Sequence, residues 1–359
     1  MTIQQIVDPS NIEPELLRIW EGLSKENKMR ASLFNLIVFT RLTPRTDYFR
    51  SIVQKVVEKF PCRTLFISHD PDSPQPYLKT AISVVTLQSG GEASIACDQI
   101  DIGVAGPDLQ RVPFVLLPHL IPDLPNYLLW AEDPSIPHPL FPELAKLATR
   151  IIFDSESADS LLAFAKTLLD LKEKTGIDVA DLNWARTEGW RDLIASTFDS
   201  EERQDLLKQI SLLKISYNSQ ETEFFCHLKI QAMYLLAWLS SRLGWKFEKA
   251  TPSLHFQFKA VDARIQAEKW AKLGPGTVIS VNLHTSDGHL FEAGRIPEET
   301  HRVNIQFSSA ERCDLPFRFI LGQTLTGQSL VKEICMKGTS AHYLAMLKEL
   351  KTLDRDQLC

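Results

Sequence analysis

Near the start of the chain, two short apolar runs lie on either side of an amphipathic pattern. Among the features of the sequence, this order restricts the possible fold most. Residues 33–39 are rich in aromatic and β-branched side chains, which is typical of a buried strand. Between residues 46 and 60 the apolar side chains recur at helical spacing, and residues 62–68 read as the next strand. A strand, a helix and a strand in this order predict a parallel or mixed sheet that is covered by helices.

The same rhythm continues to about residue 176. Four further segments have the composition of strands: residues 80–87, 92–100, 126–130 and 150–153. The first two flank the turn Ser89-Gly90-Gly91 and are expected to be antiparallel, and a helix with Pro142 in its first turn precedes the last. Ser157 is expected to cap a helix over residues 158–175, which Gly176 ends in the left-handed conformation. We therefore expect an α/β N-terminal domain, a mixed sheet covered by helices, over residues 1–176.

The second half of the chain has a different organisation. An apolar stripe predicts a long helix over residues 222–243, directly before Gly244. Residues 253–321 alternate strands with turns, and two helices near 327–337 and 340–351 follow. Because 359 residues exceed the ~100–200 of a usual domain, two domains are expected. The second is predicted as an α+β C-terminal domain with a mostly antiparallel sheet over residues 177–359.

The charge balance and the hydropathy pattern disfavour two classes of partner. The formal net charge is −6, which makes nucleic acid a poor partner. No apolar stretch reaches the ~18 residues that a membrane-spanning helix needs. The first residues lack the basic head and apolar body of an export signal, so we expect a cytoplasmic protein with no membrane partner.

The cysteines do not form a recognisable metal or redox motif. Six are present: Cys62, Cys97, Cys226, Cys313, Cys335 and Cys359. None belongs to a Cys-x-x-Cys pair, so neither a zinc knuckle nor a thioredoxin-type pair is predicted. We interpret them as small buried apolar side chains, except Cys359, whose terminal position predicts exposure and oxidation. The sequence predicts no metal site.

Glycine-rich nucleotide loops and nucleophile motifs are also missing from the sequence. There is no Gly-x-Gly-x-x-Gly turn, no phosphate-binding loop, no Gly-x-Ser-x-Gly elbow and no His-Glu-x-x-His pair. Gly274-Pro275-Gly276 precedes a strand and is interpreted as an ordinary turn. We therefore predict no catalytic residue and no cofactor.

Several side chains nevertheless have two open interpretations. Four histidines are candidate acids or bases but lack a spaced partner, so structural roles are favoured: His69, His119, His138 and His284. The carboxylates of Glu132-Asp133 are read as solvated rather than catalytic. Three arginines, Arg41, Arg45 and Arg50, have the fork that suits a sugar phosphate, although surface solvation is the simpler role.

One segment carries a resemblance to a known family. Residues 117–130 contain Pro122-Asp123-Leu124-Pro125 and run into a strand that ends at Trp130. This segment resembles the glucose-6-phosphate dehydrogenase assembly protein family, OpcA. Further matches lie in the same order: Phe60-Pro61-Cys62-Arg63, Phe141-Pro142-Glu143-Leu144, Asp154-Ser155, Asp181-Leu182-Asn183-Trp184-Ala185-Arg186 and Trp190-Arg191-Asp192-Leu193. After residue 200 the likeness is only architectural, and Leu129-Trp130 stands where many members carry two tryptophans.

The resemblance implies a function without catalysis. It implies an assembly factor or allosteric activator of glucose-6-phosphate dehydrogenase, which supports NADPH production in the oxidative pentose phosphate pathway. The implied partner is glucose-6-phosphate dehydrogenase. Two other classes stay open: an α/β protein that binds or converts a small molecule such as a sugar phosphate, and a purely structural scaffold.

The candidate partner-binding residues are tryptophans and arginines of the matching motifs: Trp130, Trp184, Arg186, Trp190 and Arg191. These residue types dominate interface hot spots, but tryptophan also packs between domains, so both roles stay open. On one helix the rings of Trp184 and Trp190 would point roughly 120° apart. Pro118, Pro122 and Pro125 predict a stiff crossover that aims the strand at residues 126–130.

Overall fold

The computed structural model describes residues 4–25, 28–87, 94–223, 227–322 and 327–353. They form two compact units. The first comprises Met1–Asp154, Thr175–Ala180 and Thr326–Gly338, and the second comprises Ser155–Lys174, Asp181–Leu325 and Thr339–Cys359. The chain therefore passes between the units more than once, and the single domain boundary at residue 176 stays a prediction.

The helices and strands follow one another as these ranges, with short 3₁₀ turns between some of them. The first half contains β1 Gln5–Val7, α1 Ile12–Ser24, β2 Lys28–Arg30, β3 Asn35–Arg41, α2 Arg45–Val57, β4 Arg63–His69, β5 Tyr77–Leu87, β6 Ser94–Ala105, α3 Val112–Leu116, β7 Asn126–Trp130, α4 Leu140–Leu147, β8 Arg150–Phe153, α5 Leu161–Thr175 and β9 Asp178–Asp181. The second half contains α6 Leu182–Arg186, α7 Glu188–Thr197, α8 Glu201–Lys208, β10 Ile210–Asn218, α9 Ile230–Leu243, β11 Phe247–Thr251, β12 His255–Phe258, β13 Asp262–Glu268, β14 Val278–Thr285, β15 Leu290–Ile296, β16 Glu299–Ser308, β17 Phe317–Ile320, α10 Gln328–Cys335 and α11 Ala341–Leu353.

The first unit is built on a mixed sheet, as predicted. The strands lie in the order β1, β5, β6, β4, β3, β7, β8, β9, and β2 pairs with β6 beside this path. β3 is parallel to both β4 and β7, and β7 is parallel to β8. β5 and β6 are antiparallel, as expected, while the predicted turn between them lies outside the described residues. The central β3 is buried on both faces, which explains its unbroken apolar run.

Helices cover this sheet through apolar stripes. α2 buries Phe49, Ile52 and Val56 on one face. α10 begins beside α2 at Gly327, whose φ is +82°. A Cβ at Gly327 would lie 2.9 Å from the carbonyl oxygen of Ile52 and 2.8 Å from the Cβ of Lys55, so this approach requires glycine.

The second unit contains the mostly antiparallel sheet that the sequence predicts. Its strand order is β11, β12, β13, β10, β14, β15, β16, β17. β10 and β13 are parallel, and the other neighbouring pairs are antiparallel. The helix α11 of this unit lies where a helix near 340–351 was predicted, and α10, which belongs to the first unit, lies where one near 327–337 was predicted. The observed architecture confirms an α/β N-terminal part and an α+β C-terminal part.

Two predicted helix starts are wrong. The helix expected over residues 222–243 begins at Ile230, because the chain turns after β10, where the backbone N–H of Gln220 donates to the Asn218 side chain. Thr222 and Glu223 are not helical, and residues 224–226 lie outside the described residues. The helix expected from residue 158 begins at Leu161, where Ser160 Oγ accepts from the N–H of Ala163 at 3.2 Å.

The predicted cap Ser157 lies instead in a short 3₁₀ turn. Gly176 does take the predicted left-handed conformation, with φ +71°. Within the described ranges, none of the helices is long and apolar enough to cross a bilayer.

Candidate functional sites

The segment that carries the family resemblance is fixed to the sheet of the first unit by Asn35. The Asn35 side-chain amide donates to the carbonyl oxygen of Ile121 at 3.0 Å and to Asn126 Oδ1 at 2.8 Å, and its oxygen accepts from the N–H of Ile121 at 3.0 Å. Asp123 has a positive φ of 64°, a conformation that aspartate tolerates better than most residues. The loop before β7 therefore has one defined shape.

A buried ion network lies below this loop. The Asp98 carboxylate on β6 accepts from Arg63 Nη2 at 2.7 Å, from Arg30 Nη2 at 2.5 Å and from Trp20 Nε1 at 2.6 Å. Arg63 also donates through Nη1 to Glu13 Oε1 at 2.9 Å and to the carbonyl oxygen of His119 at 2.8 Å. Asp98 and Arg63 are both buried, so removing either takes an ionic partner from a charge inside the protein.

Glu13 and His119 complete the network. His119 Nδ1 lies 3.1 Å from Glu13 Oε1, and this hydrogen bond, with the charge of Arg63, lowers the pKa of Glu13 in spite of its partial burial. The two residues join α1 to the loop before β7. His119 thus has a structural partner, in agreement with the structural role favoured for it.

An open cleft of about 560 Å³ lies over this network in the first unit. Its apolar wall consists of Pro118, Leu120, Ile121, Pro122 and Leu124. Glu13, Arg30 and Arg63 provide its charged part. Two motifs of the family resemblance, Pro61-Cys62-Arg63 and the loop at residues 117–125, therefore converge on one cleft.

At the carboxyl ends of the parallel strands, where α/β sheets commonly bind ligands, the side chains pair with one another. Glu132 Oε1 accepts from the backbone N–H of Arg41 at 2.7 Å, and its Oε2 lies 3.5 Å from Arg41 Nε. Arg45, in the first turn of α2, pairs with the buried Asp154 at 2.7 Å. Protein carboxylates thus pair with both Arg41 and Arg45 near the start of α2.

The third candidate phosphate ligand, Arg50, lies elsewhere in the same unit. It pairs with Asp101, and its guanidinium carbon lies 4.2 Å from the centroid of the Phe66 ring. Each of the three arginines therefore has a carboxylate partner within the protein. The expectation that they are merely solvated surface groups is wrong for Arg45, whose side chain is largely buried.

Two histidines belong to an aromatic cluster at this edge. Phe39 stacks on Trp130 with ring centroids 4.2 Å apart, and His138 lies 5.3 Å from the Trp130 ring and 5.5 Å from His69. Burial lowers the pKa of both histidines, to about 4 for His138. Burial also raises the pKa of the nearby Glu132. Neutral imidazoles in an aromatic cluster are typical of packing.

In the second unit, the Asp-Leu-x-Trp-x-Arg motif is a structural centre. Asp181 caps α6 by accepting from the N–H of Asn183 at 2.6 Å. The same carboxylate accepts from the Tyr234 hydroxyl at 2.7 Å, from the Tyr343 hydroxyl at 3.4 Å and from Ser155 Oγ at 3.1 Å. The motif thereby joins α6, α9 and α11.

Trp184 of this motif contacts Arg191 of the following motif, Trp190-Arg191-Asp192-Leu193. The guanidinium carbon of Arg191 lies 3.4 Å from the centroid of the Trp184 ring, and Arg191 Nη1 donates to the Trp184 carbonyl oxygen at 2.6 Å. Arg186 donates to Asn183 Oδ1 at 2.8 Å and lies 3.9 Å from Glu156. Trp184 and Arg186 lie on α6 and Arg191 on α7, so the two motifs lie on two short helices rather than on one.

Trp190 is buried on α7, apart from Trp184. Arg295 on β15 lies over its ring at 5.7 Å, and burial lowers the pKa of this arginine to about 10. Of the candidate partner-binding residues, Trp130, Trp184 and Trp190 are buried within the chain. Their direct contact with a partner stays a prediction, and the observed contacts give them structural roles.

The sequence pattern missed the network around Asp98. A charged residue within the apolar strand at residues 92–100 was the available signal, because a buried carboxylate needs a partner. The identity of that partner depends on how β4 and β6 pair, which local patterns do not define. Within the described ranges, histidine, cysteine and carboxylate side chains form no group of three suited to a metal ion.

The fold and these sites define a chain of two units, an α/β unit with a signature cleft and an α+β unit with a buried tyrosine–aspartate centre. Residues 53–169 match the model described as the glucose-6-phosphate dehydrogenase subunit N-terminal domain, and residues 177–358 match the corresponding C-terminal domain. The chain belongs to the glucose-6-phosphate dehydrogenase assembly protein family, OpcA.

Curated relatives agree with this assignment. The chain is 28% identical over 187 residues to the putative OxPP cycle protein OpcA of Synechococcus elongatus, covering 52% of this chain and 40% of that protein. It is 29% identical over 197 residues to the protein of the same name from Nostoc punctiforme, covering 54% of this chain and 40% of that protein. Each alignment thus spans less than half of the relative's length.

Solved structures with a similar trace have low sequence identity. A levoglucosan dehydrogenase in complex with NADH and L-sorbose is 11% identical, with coverage of 90% of this chain and 96% of that chain and a TM-score of 0.47. The transcriptional regulator Gal80p from Kluyveromyces lactis is 8% identical, with coverage of 93% of this chain and 95% of that chain and a TM-score of 0.48.

Proposed function

We propose that this chain is a non-catalytic partner of glucose-6-phosphate dehydrogenase that favours the enzyme's active oligomer or conformation. The observation that carries the proposal is the match of both halves of the chain to domains described as parts of a glucose-6-phosphate dehydrogenase subunit. The OpcA relatives are named for the OxPP cycle, so the proposed role supports NADPH production there. We place the complex in the cytoplasm.

The carboxyl edge of the first sheet supports a role without chemistry. Glu132 accepts from the backbone of Arg41, and Asp154 neutralises Arg45, so the protein's own carboxylates satisfy the groups that would bind a phosphate. The pKa of His138 is lowered to about 4, which leaves its imidazole neutral and poorly matched to acid catalysis near pH 7.

Activation by a partner needs only a difference in affinity between two states of the enzyme. A partner that binds the active state more tightly shifts the enzyme toward it by that difference. A coupling free energy of about 1–3 kcal/mol corresponds to a change of roughly 5- to 150-fold. Such a shift requires surface complementarity and no catalytic residue in this chain.

To test the proposed partnership, the purified chain is mixed with the dehydrogenase from the same organism. We expect NADPH formation to rise in a saturable way and the two proteins to elute together at the mass of a complex. The chain alone, with glucose 6-phosphate and NADP⁺, is expected to form no NADPH. Unchanged dehydrogenase kinetics without co-elution would contradict the proposal, and turnover by the chain alone would favour the enzymatic alternative.

A further inference from the structure

The cleft over the Asp98 network combines an apolar wall with two exposed charges of opposite sign. The side chain of Arg30 is 34% exposed and that of Glu13 is 37% exposed. Arg30 uses Nε and Nη2 on Asp98, and nothing in the described part of the chain accepts from its Nη1. Glu13 uses Oε1 for Arg63 and His119, which leaves Oε2 able to accept.

The charges of the whole network balance. Arg30 and Arg63 supply two positive charges, and Asp98 and Glu13 supply two negative charges. A phosphate or another polyanion would therefore gain no net attraction. A ligand with both signs of charge, spaced by an apolar group, complements the cleft.

Exposed apolar side chains adjoin the cleft. Leu33 directly follows the lining residue Ser32 and is 54% exposed, and Leu117 directly precedes Pro118 and is 55% exposed. Large apolar side chains beside a concave surface are typical of a protein interface, in which an apolar anchor lies inside a polar rim. The cleft volume of about 560 Å³ accommodates one large side chain with its flanking backbone.

The wall is preorganised before any partner binds. Asn35 holds Ile121 through both its amide nitrogen and its oxygen, and Asp123 keeps a left-handed backbone that few residues adopt. Strained backbone of this kind persists where the surrounding structure fixes it and is concentrated at binding sites. A rigid wall lowers the entropy that binding costs.

We propose that this cleft binds one segment of glucose-6-phosphate dehydrogenase in which an apolar side chain lies between an acidic and a basic residue. The acidic residue accepts from Arg30, the basic residue donates to Glu13, and the apolar side chain packs on Leu120 and Leu124. This inference rests on the proposed function and adds to it the place of contact.

The experiment compares substitutions of two exposed leucines, one shortly before β3 and one directly after it. Leu33→Glu places a charge beside the cleft, and Leu42→Glu places the same charge after the strand, on a residue that is also 54% exposed. Dissociation constants for the dehydrogenase are measured by calorimetry, with circular dichroism melts as a check of folding. We expect Leu33→Glu to weaken binding by at least about tenfold and Leu42→Glu to leave it unchanged.

The salt dependence of binding provides a second readout that does not depend on Leu33. Arg30→Gln leaves Asp98 with Arg63 and Trp20 but removes the exposed cation of the cleft. We expect binding to weaken about fivefold and its dependence on ionic strength to become shallower, because an exposed ion pair with the partner is lost.

The outcomes separate the two proposals. If the wild-type chain does not bind the dehydrogenase, both proposals fail. If it binds, but Leu33→Glu and Leu42→Glu have equal effects and Arg30→Gln keeps the wild-type salt dependence, the cleft proposal fails while the proposed function stands. A photoreactive residue at position 33 that cross-links to an acidic–apolar–basic segment of the dehydrogenase supports the cleft, and cross-linking to a second copy of this chain overturns it.

Discussion

Arg63 at the start of β4 donates two hydrogen bonds to the buried carboxylate of Asp98 on β6, at 3.1 and 2.7 Å. Arg63 belongs to one motif of the family resemblance, and the loop at residues 117–125 belongs to another. The pair therefore lies where both motifs meet, below the cleft. The same pair therefore stabilises the first unit and supports the proposed contact surface.

Loss of Arg63 is expected to destabilise the first unit strongly. Arg63→Met leaves Asp98 with Arg30 and Trp20 and removes the donor to Glu13 and to the His119 carbonyl oxygen. It should lower the free energy of unfolding by about 3 kcal/mol, the low end for a broken buried ion pair, because Arg30 still pairs with Asp98. Arg111→Met is the control, because Arg111 pairs with Asp108 at 3.0 Å on the surface and should cost less than about 1 kcal/mol. Urea unfolding measures both changes, and equal losses would contradict a special role for the buried pair.

The sequence predicted best the elements whose pattern is purely local. The strands at residues 126–130 and 150–153 match β7 and β8 because apolar runs between turn residues define buried strands. The start of α9 was misplaced because apolar spacing continues through Leu228, whereas the chain there is not helical. Periodicity alone does not distinguish an apolar residue in a turn from one in a further turn of the helix.

The candidate sites were predicted less well for a related reason. The sequence left open whether its tryptophans and arginines pack within the chain or contact a partner, and it did not show that Trp184 is buried against Arg191. Asp98 and Arg63 are separated by 35 positions in the sequence and meet only because β4 and β6 are parallel neighbours. Contacts that depend on strand pairing are not encoded in a short window.

Removal of the Tyr234 hydroxyl is expected to weaken the second unit. Burial and the neighbouring Asp181 carboxylate hold the pKa of Tyr234 well above its usual value, so the hydroxyl remains a donor. Tyr234→Phe removes this bond to a buried carboxylate and should cost about 1–3 kcal/mol in unfolding free energy. Tyr77→Phe is the control, since its hydroxyl makes a longer, 3.3 Å bond to Asp70 near the surface. If both variants unfold at the same urea concentration, Asp181 is not the structural centre described above.

The cysteines of the first sheet are expected to resist modification. Burial raises the pKa of Cys62 to about 12 and that of Cys97 to about 11, so few thiolates form and reagents have no access. Cys313 and Cys335 are exposed and should react within minutes with N-ethylmaleimide at pH 7.5. Peptide mapping by mass spectrometry before and after denaturation in urea distinguishes the two groups. Rapid labelling of Cys62 in the native protein would show that β4 is not buried as described. Cys226 and Cys359 lie outside the described residues, and the predicted oxidation of Cys359 stays a prediction.

Protonation of His138 is expected to destabilise the first unit as the pH falls. Burial lowers its pKa to about 4, with further effects from His69 and Arg41, whereas an unfolded histidine titrates near 6.5. The folded state therefore prefers the neutral ring, and this contribution is complete above about pH 6.5 and declines as the pH falls toward 4. His138 Nδ1 also accepts from the N–H of Leu140 at 3.3 Å, a bond that protonation breaks.

The measurement follows the unfolding free energy of the wild type and of His138→Gln between pH 7 and pH 4. We expect the difference between them to shrink as the pH falls. The difference between the two proteins is used because Glu132 also makes the unfolding free energy depend on pH. Its pKa is raised by burial, so its contribution has the opposite sign to that of His138 and is present in both proteins. His342→Gln, on the exposed surface of α11, is the control for loss of a histidine. If the imidazole proton resonance of His138 titrates near pH 6.5 in the folded protein, its ring is not desolvated by the aromatic cluster, and the structural role assigned to it here is wrong.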